Sequence, residues 1–159
     1  NSLIKDPQLL RSVGGHEYDY QIASEMRLFC KEKNVTMWLN AHAVTEALRR
    51  KHPSGHQFEG LPQPCSMADV EGGGKWGNRA DDVISVHRYT QSTDRWMISD
   101  IHVTKVKETE TGGRPTPMDS PISLRMEQGN CSFTCAGRNV IEHAKDTEVI
   151  PNQSPEMAF

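Results

Sequence analysis

No apolar run in this 159-residue chain approaches the roughly 18 residues that a membrane span requires. A secretory leader is missing from the residues given: "NSLIKDPQLLRS" is charged from the outset and has no apolar core. Basic excess is missing too. With 18 Lys and Arg against 21 Asp and Glu, the formal net charge is −3, so any nucleic-acid contact must come from a local patch. Cysteine is sparse, with four in total, and only Cys131 and Cys135 lie close together, as C-x3-C. A zinc site wants two such pairs, or one with a His pair, and His52 and His56 lie far off without regular spacing. Reduced thiols, no metal and a cytoplasmic setting are the expectation. There is no internal repeat and no initiating Met, so the chain is expected to be a processed or truncated piece.

The remaining composition is globular and slightly polar, 35% hydrophobic and 25% charged, and the length suits one ordinary core. A short helical turn is expected over Pro7–Ser12. The clearest helix is His16–Lys33, where Ile22, Met26, Phe29 and Cys30 form one apolar stripe and Asn34 follows as a C-cap. "VTMWLN", Val35–Asn40, reads as a buried strand. Helix, tight turn and strand together predict an α/β unit with a parallel sheet. Ala41–Lys51 reads as helix or arm, and His52–Pro64 as a Pro- and Gly-broken loop. One helical turn is expected over Met67–Glu71. Asp82–Tyr89 and the alternating Ile98–Lys107 read as strands, and Pro121–Met126 with Asn130–Phe133 as a hairpin closed near Gln128-Gly129. From Ala136 the periodicity fades, and 136–159 is expected to be an irregular or disordered tail. One convincing helix cannot cover both faces of a parallel sheet, so the piece is expected to be incomplete or to lean on a partner surface.

Four stretches carry chemistry. In "LNAHAV", His42 follows the expected strand, and ligands of open α/β sheets gather at strand carboxyl ends. Such a His can meet a phosphate or a water, or simply cap the strand. In "EGGGKWGNRADD", glycines allow close backbone approach, while Lys75, Trp76 and Arg79 offer charge and a stacking ring for a sugar–phosphate backbone. A plain solvent loop explains the same residues. The stretch is not a Walker A loop, since Gly74-Lys75 is followed by Trp76, and G-x-G-x-x-G does not fit either. Lys105 and Lys107, at i and i+2, can reach one neighbouring phosphate, or can only protect a strand edge. Arg49, Arg50 and Lys51 form the densest basic cluster, suited to nucleic acid.

In this order, these stretches resemble the C-terminal half of the RecA-like motor domain of hexameric replicative helicases of the DnaB type, phage primase–helicases among them. The resemblance covers about 1–133. "NSL" resembles the segment after the Walker B aspartate. "VTMWLNAH" resembles the strand that ends in a polar γ-phosphate sensor. "SMADVEGGGKWGNRADDVISVHR" resembles the Gly-containing stretch that leads through A-D to a strand ending in Arg. "HVTKVKETETGG" resembles the K-x-R strand and its Gly turn.

The resemblance implies an α/β fold that is the C-terminal part of a RecA-like P-loop NTPase core, with a central, mostly parallel sheet plus a β-hairpin. It spans 1–135 as a partial ATPase domain without Walker A or Walker B. It further implies that His42 is the phosphate sensor, and that Lys105 and Lys107 are inter-subunit fingers. A loop from about 43 to 77 would present Arg49, Arg50, Lys51, Lys75, Trp76 and Arg79 to single-stranded DNA, with the glycines as a flexible joint. The parent would be a homo-oligomer, a hexameric ring off the membrane, using ATP and Mg2+ for DNA replication. No nucleotide or metal is expected on this chain alone, which should be inactive, because both Walker motifs would lie upstream. Lys107 stands where the family has Arg, and lacks its planar fork. Two other readings remain: a non-catalytic single-stranded nucleic-acid-binding or assembly module, and a RecA-like ATPase of recombination or replication initiation.

Overall fold

The structure is a computed structural model that describes residues 7–71, 74–129 and 132–142. Helix α1, Pro7–Lys33, opens the chain. It joins the two helical stretches expected at 7–12 and 16–33, because no proline interrupts the ladder and Gly14-Gly15 costs only about 1 kcal/mol per residue. It stops where expected. Asn34 takes φ 52°, and the Val35 amide bonds the Cys30 carbonyl at 3.0 Å, a Schellman-type close. The buried stripe differs from the expected one. Tyr18 and Ala23 face inward, Ile22, Met26 and Cys30 flank them, and Phe29 is 48% exposed beside Leu28.

Helix α2, Thr45–Arg49, buries Ala47. A 3-10 turn over Met67–Asp69 carries a capping box between Ser66 and Asp69. Helix α3, Gly74–Arg79, packs on α1 and on that turn. The expected mobile glycine joint is thus helical from Gly74, while Gly72 and Gly73 lie outside the described residues. Gly77 is buried, and a Cβ there would collide with the Met67 side chain. Gly77→Ala is therefore expected to cost about 1–3 kcal/mol by overpacking, read as a lower urea midpoint at unchanged m-value.

The sheet has five strands in the order β1-β2-β3-β4-β5: Asp82–Arg88, Ile98–Val106, Ile122–Glu127, Ser132–Cys135 and Arg138–Asn139. A short helix, α4 (Thr109–Gly112), lies between β2 and β3. β1, β2 and the β3–β4 hairpin match the expected strands, and β5 follows beyond them. Every pairing is antiparallel, so the expected mostly parallel sheet is corrected. The physical reason is connectivity: the β1–β2, β3–β4 and β4–β5 connections are too short for a helical crossover, and the one-turn α4 does not carry the β2–β3 connection across the sheet, so each strand returns alongside the last.

The expected buried strand Val35–Asn40 is also corrected. The segment has no strand partner and is exposed throughout, with Trp38 at 77%. The α/β class stands, but the parallel part would have needed a neighbour for that segment. Among the described residues, no helix is long and apolar enough to cross a membrane.

Register divides the sheet into two unlike faces. Ser85 opposes His102, His87 opposes Asp100, and Asp100 opposes Ser123, so one face is polar. The alternate residues Ile84, Val86, Ile101, Val103, Ile122 and Leu124 make the other face apolar, with Ile84, Val86 and Ile122 each more than two-fifths exposed. At Val83/Ile84 the register slips, leaving Thr104 unpaired and Lys105 opposite Val83. That bulge turns Lys105 onto the polar side.

Candidate functional site

The residues singled out in sequence do not converge. His42 is exposed, and its carbonyl accepts from the Glu71 amide at 3.3 Å. It does not end a buried strand. Arg49 is 74% exposed with Glu46 nearby, Arg50 pairs with Asp69, and Lys51 is exposed in a bridge to Pro62. Ser66 and Arg50 together hold the Asp69 carboxyl below its ordinary range, against burial that works to raise it.

Lys75, Trp76 and Arg79 sit on α3 rather than on a loop. Lys75 lies 3.7 Å from Asp19, and both side chains are largely covered. The Arg79 guanidinium stacks 4.0 Å over the Tyr20 ring, and its Nε is buried without a partner. None of the three forms a cradle for a phosphate: Lys75, the one ammonium in the glycine stretch, is directed at a carboxylate.

Lys105 and Lys107 also turn to this chain's own groups. Lys105 Nζ donates to the Gly77 carbonyl at 2.9 Å and to the Ala80 carbonyl at 2.7 Å. It thereby satisfies orphaned carbonyls at the end of α3. Lys107 Nζ reaches Asp81 at 2.9 Å, which Arg27 also meets at 3.1 Å. The Lys107 hydrogen bond leads the effects that hold the Asp81 carboxyl below its ordinary range, with Arg27 adding to it against burial. The Lys107 side chain remains 43% exposed, whereas Lys105 is part-buried.

Two features were not legible in the sequence. One is a polar and aromatic cluster on the sheet's polar face. Asp100, 2% exposed, accepts two hydrogen bonds from Arg95 Nη2, at 2.8 and 2.7 Å, and one from Ser123 Oγ at 2.6 Å. The Arg95 guanidinium lies 4.9 Å from the Phe58 ring centroid and 5.8 Å from that of Tyr89. Tyr89 Oη meets His52 Nε2 at 3.0 Å, His52 stacks on His56 at 4.1 Å, and His87 sits edge-on to Tyr89 at 4.5 Å. Burial lowers the pKa of His52, His87 and His102, with His56 adding to it at His52 and His102 at His87. Burial pushes the Tyr89 phenol up. His87 Nε2 has no partner. The partial sequence signal was polar alternation, with His87 in β1 and Tyr89 just past its end, and Asp100 and His102 in β2, each set two residues apart.

The other feature is an apolar groove of about 340 Å³ between α1, α3 and the extended segment 35–39. Met26, Met37, Trp38 and Trp76 line it, and Ala80–Asp82 close the side where β1 begins. The backbone of 36–41 makes no hydrogen bond to other backbone among the described residues.

Neither feature suits a metal. Among the described residues, no group of three or more His, Cys, Asp and Glu could hold one. Cys131 of the C-x3-C pair lies outside the described residues, as do "NSL" and 143–159. The same lack of a donor group among the described residues holds for the Mg2+ that the resemblance implies. Comparison with protein-family models, curated proteins and solved structures finds no match.

Proposed function

We propose that the chain is the C-terminal part of a RecA-like ATPase that works as a replicative DNA helicase. The observation that carries this reading is the segment Val35–Asn40. It has the composition of a central strand, an extended backbone with no partner, and an apolar groove beneath it. An unpaired apolar strand is a liability that a complete domain covers or charges. Beside it, β1 is an edge strand of the sheet. A larger sheet entered by 35–40 supplies both missing partners. The order of the four resembling stretches says which kind of sheet that is.

In this reading the lysines divide their work. Lys107, solvent-facing and held only by a shared surface pair, is the one able to reach a neighbouring subunit's nucleotide. Lys105 acts as a positioning residue that fixes α3 against β2. Arg49 and Lys51, both exposed, are the cations left to meet single-stranded DNA, with Arg50, Lys75 and Arg79 engaged internally.

Assay of ATP hydrolysis by the longer protein from the same reading frame, with and without single-stranded DNA, tests this. DNA-stimulated hydrolysis that falls at least about tenfold in Lys107→Ala supports it. Salt-dependent DNA binding with no nucleotide effect would instead favour a non-catalytic binding module. A further prediction separates the isolated chain from its parent. Trp38→Ser is expected to change the isolated chain's stability by under about 0.5 kcal/mol, since the ring is already in water. In the longer protein the same change is expected to cost about 3 kcal/mol, because the ring is then buried. Paired denaturation curves read both values.

A further inference from the structure

The loop Arg50–Pro64 is a closed structure of its own. The His52 amide bonds the Leu61 carbonyl at 2.9 Å, the Gly60 amide bonds the His52 carbonyl at 3.1 Å, and the Gln63 amide bonds the Arg50 carbonyl at 2.9 Å. Gly55 and Gly60, at φ 84° and 76°, make the turns that a side chain would strain. Two contacts then fasten the loop to the sheet. His52 Nε2 meets Tyr89 Oη at 3.0 Å, and the Phe58 ring lies 4.6 Å from the Tyr89 ring. The Pro62 carbonyl lies where it can accept from the His87 ring.

We propose that this loop is a strap released by protons: charging the His52–His56 stack detaches it from β1 while the sheet stays folded. The geometry sets charge on one ring against charge on the other. The two imidazoles are parallel within 8° at 4.1 Å, so two imidazolium rings would face each other directly. The His56 Nδ1 accepts from the Phe58 amide at 3.1 Å. A proton on that nitrogen ends the bond and sets two donors against each other.

The surrounding charges do not rescue the pair. From the loop itself, Glu59 already accepts from the Gly55 amide at 2.9 Å, and Lys51 adds positive charge. From the β1–β2 connection, Arg95 holds a full positive charge over Phe58 and Tyr89. From β2, Asp100 is engaged by Arg95 and Ser123 and acts on His87 and His102, and His102 is a further imidazole. From β1, His87 is a further imidazole whose pKa burial lowers, and just past the strand the Tyr89 phenol, pushed up by burial, adds no negative charge.

The sign follows by linkage. His52 titrates lower in the closed loop than in the open one, so the open form binds more protons. The closed form is favoured in full above the ordinary histidine pKa of about 6.5 and loses ground as pH falls below it.

Amide hydrogen exchange of the whole chain, corrected for the intrinsic pH dependence, tests the strap. Between about pH 7.5 and pH 5.5, protection of the His52, Gly60 and Leu61 amides is expected to fall by roughly tenfold, while β2 amides keep theirs. His56→Gln, at an exposed position, removes the second ring of the stack and is expected to cut that fall to about threefold. Unchanged loop protection at about pH 5.5 would overturn the proposal. So would loss of β2 protection in step with the loop, or a His56→Gln chain as pH-sensitive as the parent.

Discussion

Asp100→Ala is expected to destabilise the chain by about 3 kcal/mol, enough to lower the thermal midpoint by about ten degrees for a chain of this size. Asp100 is 2% exposed and its carboxylate takes three hydrogen bonds, two from Arg95 and one from Ser123. Removing it strands the Arg95 guanidinium, whose Nε already lacks a partner in a buried position. An unpaired, partly buried cation is the costly outcome of breaking such a pair, more than the loss of the bonds themselves. The damage should spread beyond β2. Arg95 also faces the rings of Phe58 and Tyr89, so its release loosens the loop contact as well. Asp100→Asn keeps the shape and the Ser123 contact and should cost less than Asp100→Ala. Urea curves at pH 7 rank the two; an equal cost for both would mean that shape, not charge, holds Arg95.

This cluster shows where sequence reasoning stops. β1, β2 and the β3–β4 hairpin were legible because period-two alternation and turn residues act locally. The pairing of His87 with Asp100, and of Asp100 with Ser123, depends on register, which no single strand encodes. Lys105 shows the same limit from the other side. Alternation places it with Ser99, Ile101 and Val103, yet the slip at Thr104 turns it to the polar face, where α3 ends. The 35–40 segment has the composition of a buried strand, and the structure leaves it exposed and unpaired. Propensity is a property of the residues, whereas pairing needs a partner. The glycine stretch differs from a loop for a related reason. A run of Gly, Lys and Trp fits a loop until α1 offers Asp19 and Tyr20 as neighbours, and then it winds into a helix.

Lys105→Met is expected to cost the isolated chain about 2 kcal/mol, whereas Lys107→Met should cost less than about 0.5 kcal/mol. The side chains are two residues apart in one strand end, and both are cationic; their surroundings separate them. Lys105 is part-buried and gives two charge-assisted hydrogen bonds to the Gly77 and Ala80 carbonyls. Those carbonyls end a helix of six residues, too short to hold its own shape without tertiary contacts. Methionine fills the volume but leaves both acceptors without a donor. The Lys107–Asp81 pair is 43% and 56% exposed, and Arg27 remains beside Asp81 when the lysine is gone. Water and Arg27 take over, so little stability is lost. In the longer protein the ranking should invert for hydrolysis at a temperature where both variants are folded. On the proposed reading Lys107→Met removes the cation that would reach across a subunit boundary, while Lys105→Met acts only through α3. If Lys105→Met left the isolated chain as stable as the parent, Lys105 would not be anchoring α3, and both lysines would again be candidates for a neighbouring phosphate.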